Sequence, residues 1–173
     1  TTKSIEQKLP AKLFAEGLTR YGDEVFLLTW KAERALVLDA EQLTFKRALR
    51  YEGEGWGLTH NDGYLINSNG SDTLYFRKPA NLDIARQIRV HNSWRKYSQL
   101  NELEFAEGSI WANVWQTPII LQISPADGQV LGIASLRDLE NKNSTIANHS
   151  VLNGIAYDPQ RKAFWITGKL WPK

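Results

Sequence analysis

The side chains able to do chemistry recur in a short box near the start of successive strand-like segments. Phe14-Ala15-Glu16-Gly17-Leu18 returns as Glu54-Gly55-Trp56-Gly57-Leu58, as Leu100-Asn101-Glu102-Leu103-Glu104 and as Leu152-Asn153-Gly154-Ile155-Ala156. Each box sets a polar residue and a small or aromatic one where a strand begins. Seven tryptophans suggest a cavity with aromatic walls. A carboxylate such as Glu16, brought to that cavity, would suit proton transfer on a small bound group. The absence of cysteine excludes disulfides and thiolate chemistry. His60, His91 and His149 have no metal-ligand spacing, so no metal is expected in catalysis. Taken singly, these residues also have ordinary readings. Glu16 could cap a turn or pair with a lysine, Trp30 and Trp115 could be core, Asn101 could satisfy backbone in a tight turn, and Lys169 could be a solvated chain end.

What must position the boxes is a repeat. Aligned on Leu18, Leu58, Leu103 and Ile155, they stand 40, 45 and 52 residues apart. A four-stranded unit recurring every ~40–50 residues is the signature of propeller blades. Equivalent strand starts converge on a propeller's central channel, so the boxes would share one pocket. The expected fold is all-β, a β-propeller of which the chain covers about three and a half blades. Residues 1–173 form a single, incomplete domain in this reading. A tail strand of a preceding blade occupies 1–10, blades occupy 14–51, 54–90 and 100–136, and a partial blade occupies 152–173. Runs of β-branched and aromatic residues bounded by Gly, Pro, Asn and Asp carry the strand assignments. No convincing helical period occurs beyond a turn at 136–141. The polar stretch from Asp138 to Ser150 reads as an insertion on one face of the disc. N-x-S/T triplets at Asn69, Asn143 and Asn148 are of a kind common by chance. Glu102 and Glu104 are expected to be structural or channel-rim groups facing opposite sides.

Bulk composition narrows the classes further. Hydrophobic content of 42% and charged content of 23% are globular values. A net charge of +2 is too balanced to call for nucleic acid or an anionic membrane. No apolar run is long enough to span a bilayer. With no methionine and an unfinished last repeat, the chain is expected to be an excerpt of a longer protein.

The motifs FAEGLT, LTWK, YEGEGWGLT, LNELE, ANVWQT, LNGIAYDP and TGKLWP, in this order and spacing, resemble the plant- and bacterial-type glutaminyl-peptide cyclotransferases. The resemblance covers essentially the whole chain. It implies a five-bladed propeller, unrelated to the zinc-dependent animal enzymes of the same activity. The family pattern also has an earlier box upstream of Phe14 and a closing strand after the final Lys173, and neither is found here. Asn69 and Pro118 stand at turn positions where the family more often has Asp. By resemblance the essential acid is Glu16, with Lys169 as a second catalytic group. Phe14, Trp30, Trp56, Asn101 and Trp115 are the substrate-binding residues.

The implied reaction turns an N-terminal glutamine of a peptide into pyroglutamate with release of ammonia. No cofactor is required, although a structural ion in the central channel would be compatible. The implied partner is a peptide or protein N-terminus bearing Gln, with no nucleic acid and no membrane. A monomer, periplasmic or secreted, is expected. Two other readings stand beside this one: a metal-dependent lactonase-like propeller, and a non-catalytic peptide-binding propeller.

Overall fold

The computed structural model describes residues 5–143 and 151–171. Consecutive antiparallel strands form three four-stranded sheets. The first holds β1 (Ala15–Tyr21), β2 (Glu24–Thr29), β3 (Arg34–Asp39) and β4 (Phe45–Arg50). The second holds β5 (Leu58–His60), β6 (Leu65–Asn67), β7 (Thr73–Arg77) and β8 (Ile84–Arg89), and the third β9 (Leu100–Ala106), β10 (Ser109–Val114), β11 (Ile119–Ile123) and β12 (Val130–Ser135). After α1 (Arg137–Asn143), β13 (Val151–Asp158) and β14 (Ala163–Lys169) pair as the inner half of a fourth sheet. These are the blades of a β-propeller.

Burial explains why the sequence reads in this way. The middle strands of each blade are covered on both faces, so they are near-continuous apolar runs, such as Phe26-Leu27-Leu28 and Ala35-Leu36-Val37-Leu38. Outer strands β4, β8 and β12 are largely exposed, and β4 and β8 carry basic residues. The core lies between blades. Phe26, Val37, Leu58 and Leu65 join the first to the second, while Phe76, Ile88, Leu103 and Ile110 join the second to the third. Hairpin chemistry fixes register locally. Glu107 and Gly108 both have positive φ, the two-residue type I′ turn whose twist suits the strands it joins.

Two differences from the sequence reading have physical causes. The strand expected at 1–10 does not form over its described part. Among the described residues, 5–10 join no sheet, the Pro10 carbonyl accepting only a turn bond from Leu13 N–H at 2.9 Å, and Leu9 and Leu13 lie by side-chain packing against Leu27, Leu36 and Leu38. The helical turn expected at 136–141 forms, as the short helix α1 (Arg137–Asn143). Asp138 and Glu140 lie in its first turn and Lys142 in its last, an order that suits the helix dipole. The rest of the polar insertion, with Asn148 and His149, lies outside the described residues. Glu102 and Glu104 share a face, as residues two apart on a strand must. Glu102 lies beside Gly154 and Ala156, and Glu104 accepts the Tyr157 N–H at 3.0 Å.

Candidate functional site

The recurring box turns out to be a recurring β-bulge. Between Ala15 and Leu18, Glu16 and Gly17 stand opposite Leu28 alone. Between Leu100 and Leu103, Asn101 and Glu102 stand opposite Asn113. Between Leu152 and Ile155, Asn153 and Gly154 stand opposite Thr167. A bulge re-aims the side chain of its extra residue and twists the strand. Here it points Glu16 and Asn101 toward one cavity. Trp56, just before β5, has the same place in the second blade. Its N–H donates to the Ser68 carbonyl at 3.1 Å, and Ser68 donates back to the Gly57 carbonyl at 3.1 Å.

A second position recurs at the end of the second strand in the first, third and fourth blades. Trp30 follows β2 and its N–H donates to the Phe14 carbonyl at 3.0 Å; Trp115 follows β10 and donates to the Gln99 carbonyl at 2.8 Å. In the fourth blade, the residue in that register is Lys169, opposite Val151. The repeat therefore supplies the site from two positions, both in the first and third blades and one each in the second and fourth, and the chemistry differs from blade to blade.

Close approach of the inner strands holds these positions together. The Gly17 N–H donates to the Trp56 carbonyl at 2.6 Å. A Cβ on Gly17 would collide with the backbone N of Leu58, and one on Gly57 with the carbonyl of Asn101. Fully buried Ser68 ties two blades together, because its hydroxyl donates to the Asn101 carbonyl at 2.6 Å and accepts from Gly57 N–H at 2.8 Å.

The cavity so formed measures about 240 Å³ and is lined by Phe14, Glu16, Trp30, Trp56, Asn101, Trp115 and Lys169. All seven residues assigned to the site from the sequence meet there. Its volume lies below the roughly 300–1,000 Å³ of sites for drug-sized ligands, a size that suits one residue rather than a length of peptide. Trp56 and Trp115 meet edge to face, centroids 5.5 Å apart at 83°, while Phe14 and Trp30 form the rim at 6.0 Å and 64°. Asn101 is buried, and its side-chain amide makes no hydrogen bond to protein among the described residues. Burial raises the pKa of Glu16, and the Lys169 ammonium partly offsets the rise.

Two carboxylates that the sequence reading left outside the site border it. Glu54 accepts hydrogen bonds from the indole N–H of both Trp30 and Trp56. Its signal was present: it heads the second box, where Phe14 heads the first. Glu102 takes the box position held by Gly17, Gly57 and Gly154 in the other blades. Burial first, then the charges of Glu16 and Glu104, push its pKa up to about 7.

That shift makes a stability prediction. With its folded pKa raised above the ordinary carboxylate value of 4.5, Glu102 keeps a proton that the unfolded chain gives up. Its cost is therefore absent below pH 4.5, grows between pH 4.5 and about 7, and is constant above that. Glu102→Gln is expected to stabilise the protein at pH 8 by up to about 3 kcal/mol, at 1.36 kcal/mol per pKa unit, and to change little at pH 4. Urea midpoints at the two pH values measure it. An equal effect at both would remove the ionisation from the explanation.

A family model described as glutamine cyclotransferase matches residues 1–173. The chain belongs to the glutamine cyclotransferase family. It is 35% identical over 173 residues to a glutaminyl-peptide cyclotransferase of Arabidopsis thaliana, covering 98% of this chain and 54% of that protein. The chain thus spans about half the length of the curated relative it matches. The crystal structure of Myxococcus xanthus glutaminyl cyclase superposes with a TM-score of 0.89 at 35% identity, over 94% of this chain and 71% of that one. Hydrazine synthase of Kuenenia stuttgartiensis, at 12% identity and a TM-score of 0.55, over 85% of this chain and 41% of that one, shares the fold alone.

Proposed function

We propose that this cavity is the active site of a glutaminyl-peptide cyclotransferase, which converts the N-terminal glutamine of a peptide to pyroglutamate and ammonia. The observation that carries the reading is convergence. In a chain of this family, a half-buried carboxylate, an ammonium, a free amide and three indoles from four blades meet in a cavity of about 240 Å³.

Both reacting groups belong to one residue, so the first task is to hold the folded conformer. Well-oriented groups can lower a barrier by as much as ~7–11 kcal/mol. Rigid indole walls exclude water and favour a compact side chain, and an α-ammonium against an indole face gains about 0.5–2 kcal/mol. The second task is proton transfer. The neutral α-amine attacks the side-chain amide carbon, and Glu16 takes a proton from that nitrogen. It returns the proton to the amide nitrogen as the C–N bond breaks, ammonia leaves and the lactam closes. The third task is to hold the oxygen that gains negative charge, for which Asn101 and Lys169 are the donors at hand. The mechanism assigns no step to a metal or cofactor, and no partner beyond the peptide.

Ammonia release from a Gln-initiated dipeptide by the full-length protein, with and without chelator, tests the reading. Turnover insensitive to chelator supports it; a folded protein that releases none ends it. Chelator-sensitive lactone hydrolysis would favour the lactonase-like alternative instead. Because only the neutral amine attacks, kcat/KM is expected to climb toward the α-amine pKa of about 7.7–8.0. The raised pKa of Glu16, which must be ionised to accept a proton, adds to the same acid limb. A rate already maximal near pH 5 would contradict the mechanism.

No helix among the described residues is long and apolar enough to cross a membrane. The protein is proposed, on family grounds, to act as a monomer in the periplasm or outside the cell. Sedimentation of the full-length protein and its distribution between cell fractions check both.

A further inference from the structure

Indole nitrogens only donate hydrogen bonds. In an apolar cavity their N–H groups must find acceptors, or the rings turn to reach one. Here two of the three pocket indoles, from different blades, use the same atom. Trp30 Nε1 donates to Glu54 Oε2 at 2.8 Å and Trp56 Nε1 donates to it at 2.9 Å. The other oxygen, Oε1, faces Lys31 Nζ at 3.8 Å, and that ammonium sits 4.1 Å over the Trp30 ring. Gly70, with φ of +81°, leaves the room that the Trp56 ring fills: a Cβ there would lie 2.7–2.9 Å from three of its carbons. Trp56 in turn meets Trp115 edge to face. The orientation of the aromatic wall thus runs from one carboxylate oxygen, through two N–H groups, to the third ring.

We propose that Glu54 is a positioning residue that clamps Trp30 and Trp56 across the gap between two blades and so sets the shape of the pocket. It acts through the indoles rather than on substrate. Donation from Trp56 and Trp30, reinforced by Lys31, keeps its pKa below the ordinary carboxylate value, so the clamp stays charged wherever the α-amine is neutral. Two charge-assisted bonds to one oxygen fix the rings more firmly than packing alone, since turning either ring gives up a charge-assisted bond for at best a weaker one to water. The proposal rests on the cyclotransferase reading only for its kinetic consequence.

The test therefore has two readouts in the full-length protein. The first is the pair of indole N–H resonances, assigned with Trp30→Phe and Trp56→Phe variants. In Glu54→Leu both should move and exchange faster with solvent, while in Glu54→Gln, whose amide oxygen still accepts, both should stay near their wild-type positions. The second is turnover of a Gln-initiated dipeptide. Glu54→Leu is expected to lose about tenfold in kcat/KM, the worth of one charge-assisted hydrogen bond, chiefly through KM. Glu54→Gln should recover most of that loss. Adding Glu54→Leu to the Trp30→Phe, Trp56→Phe double variant should cost nothing more. Unmoved resonances, a wild-type kcat/KM in Glu54→Leu, or a full further loss in the double variant would each overturn the clamp. If the wild-type protein shows no turnover, the cyclotransferase reading falls and the resonances still decide the clamp.

Discussion

Glu16→Gln is expected to lower kcat on a Gln-initiated peptide by ~10²–10⁴-fold, the usual contribution of a positioned general acid–base. The fold should not change. Glu16 makes no ion pair or hydrogen bond among those found in the described residues, and it stands on a bulge whose register is held by main-chain bonds and by Gly17. Burial that raises its pKa is relieved by a neutral amide, so the variant should melt no earlier than the wild type. KM should change little, because the indoles and Asn101 still hold the substrate. A loss confined to KM would make Glu16 a binding group, and near-normal kcat would remove it from the proton path. Circular dichroism and thermal melts beside the kinetics separate either outcome from misfolding.

How far such a site is legible in sequence depends on what each residue answers to. The blades could be read because burial on both faces forces the middle strands into apolar runs, and turn residues mark their ends. The strand-start position could be read because a repeat puts Glu16, Trp56 and Asn101 at equivalent places, whereas Trp30, Trp115 and Lys169, at the end of the second strand, came only from the resemblance to a family. The bulge that aims the first set was not visible. Bulging adds a residue opposite a partner strand, and no pairing is written in the chain. Glu54 was missed for a related reason. Its role is a shared acceptor for two rings 24 and 2 residues away, and only the packing of two blades puts both N–H groups on one oxygen. The tail at 5–10 failed the other way: a strand-like composition forms no strand without a backbone to pair with.

Removing the oxyanion donors should tell Asn101 and Lys169 apart, although each loss is worth ~3–4 kcal/mol, or about 10²–10³-fold in kcat. Asn101→Ala removes an uncharged donor from a buried position and leaves the field at Glu16 unchanged. Its pH profile should keep the wild-type shape at a lower height. Lys169→Met removes a charge as well. The ammonium is the influence that lowers the Glu16 pKa against burial. Without it that pKa rises further and Glu16 becomes an acceptor only at higher pH, so the acid limb of kcat is expected to move toward alkaline values where Glu16 rather than the α-amine sets it. Hence a displaced limb with a modest loss at its plateau identifies Lys169 as the group that tunes Glu16, with Asn101 carrying the oxyanion. A plateau loss of 10²-fold or more in Lys169→Met, beside a mild Asn101→Ala, reverses the assignment. An unmoved limb in Lys169→Met would show that the α-amine alone sets it, and the tuning of the rate through Glu16 by Lys169 would have to be given up.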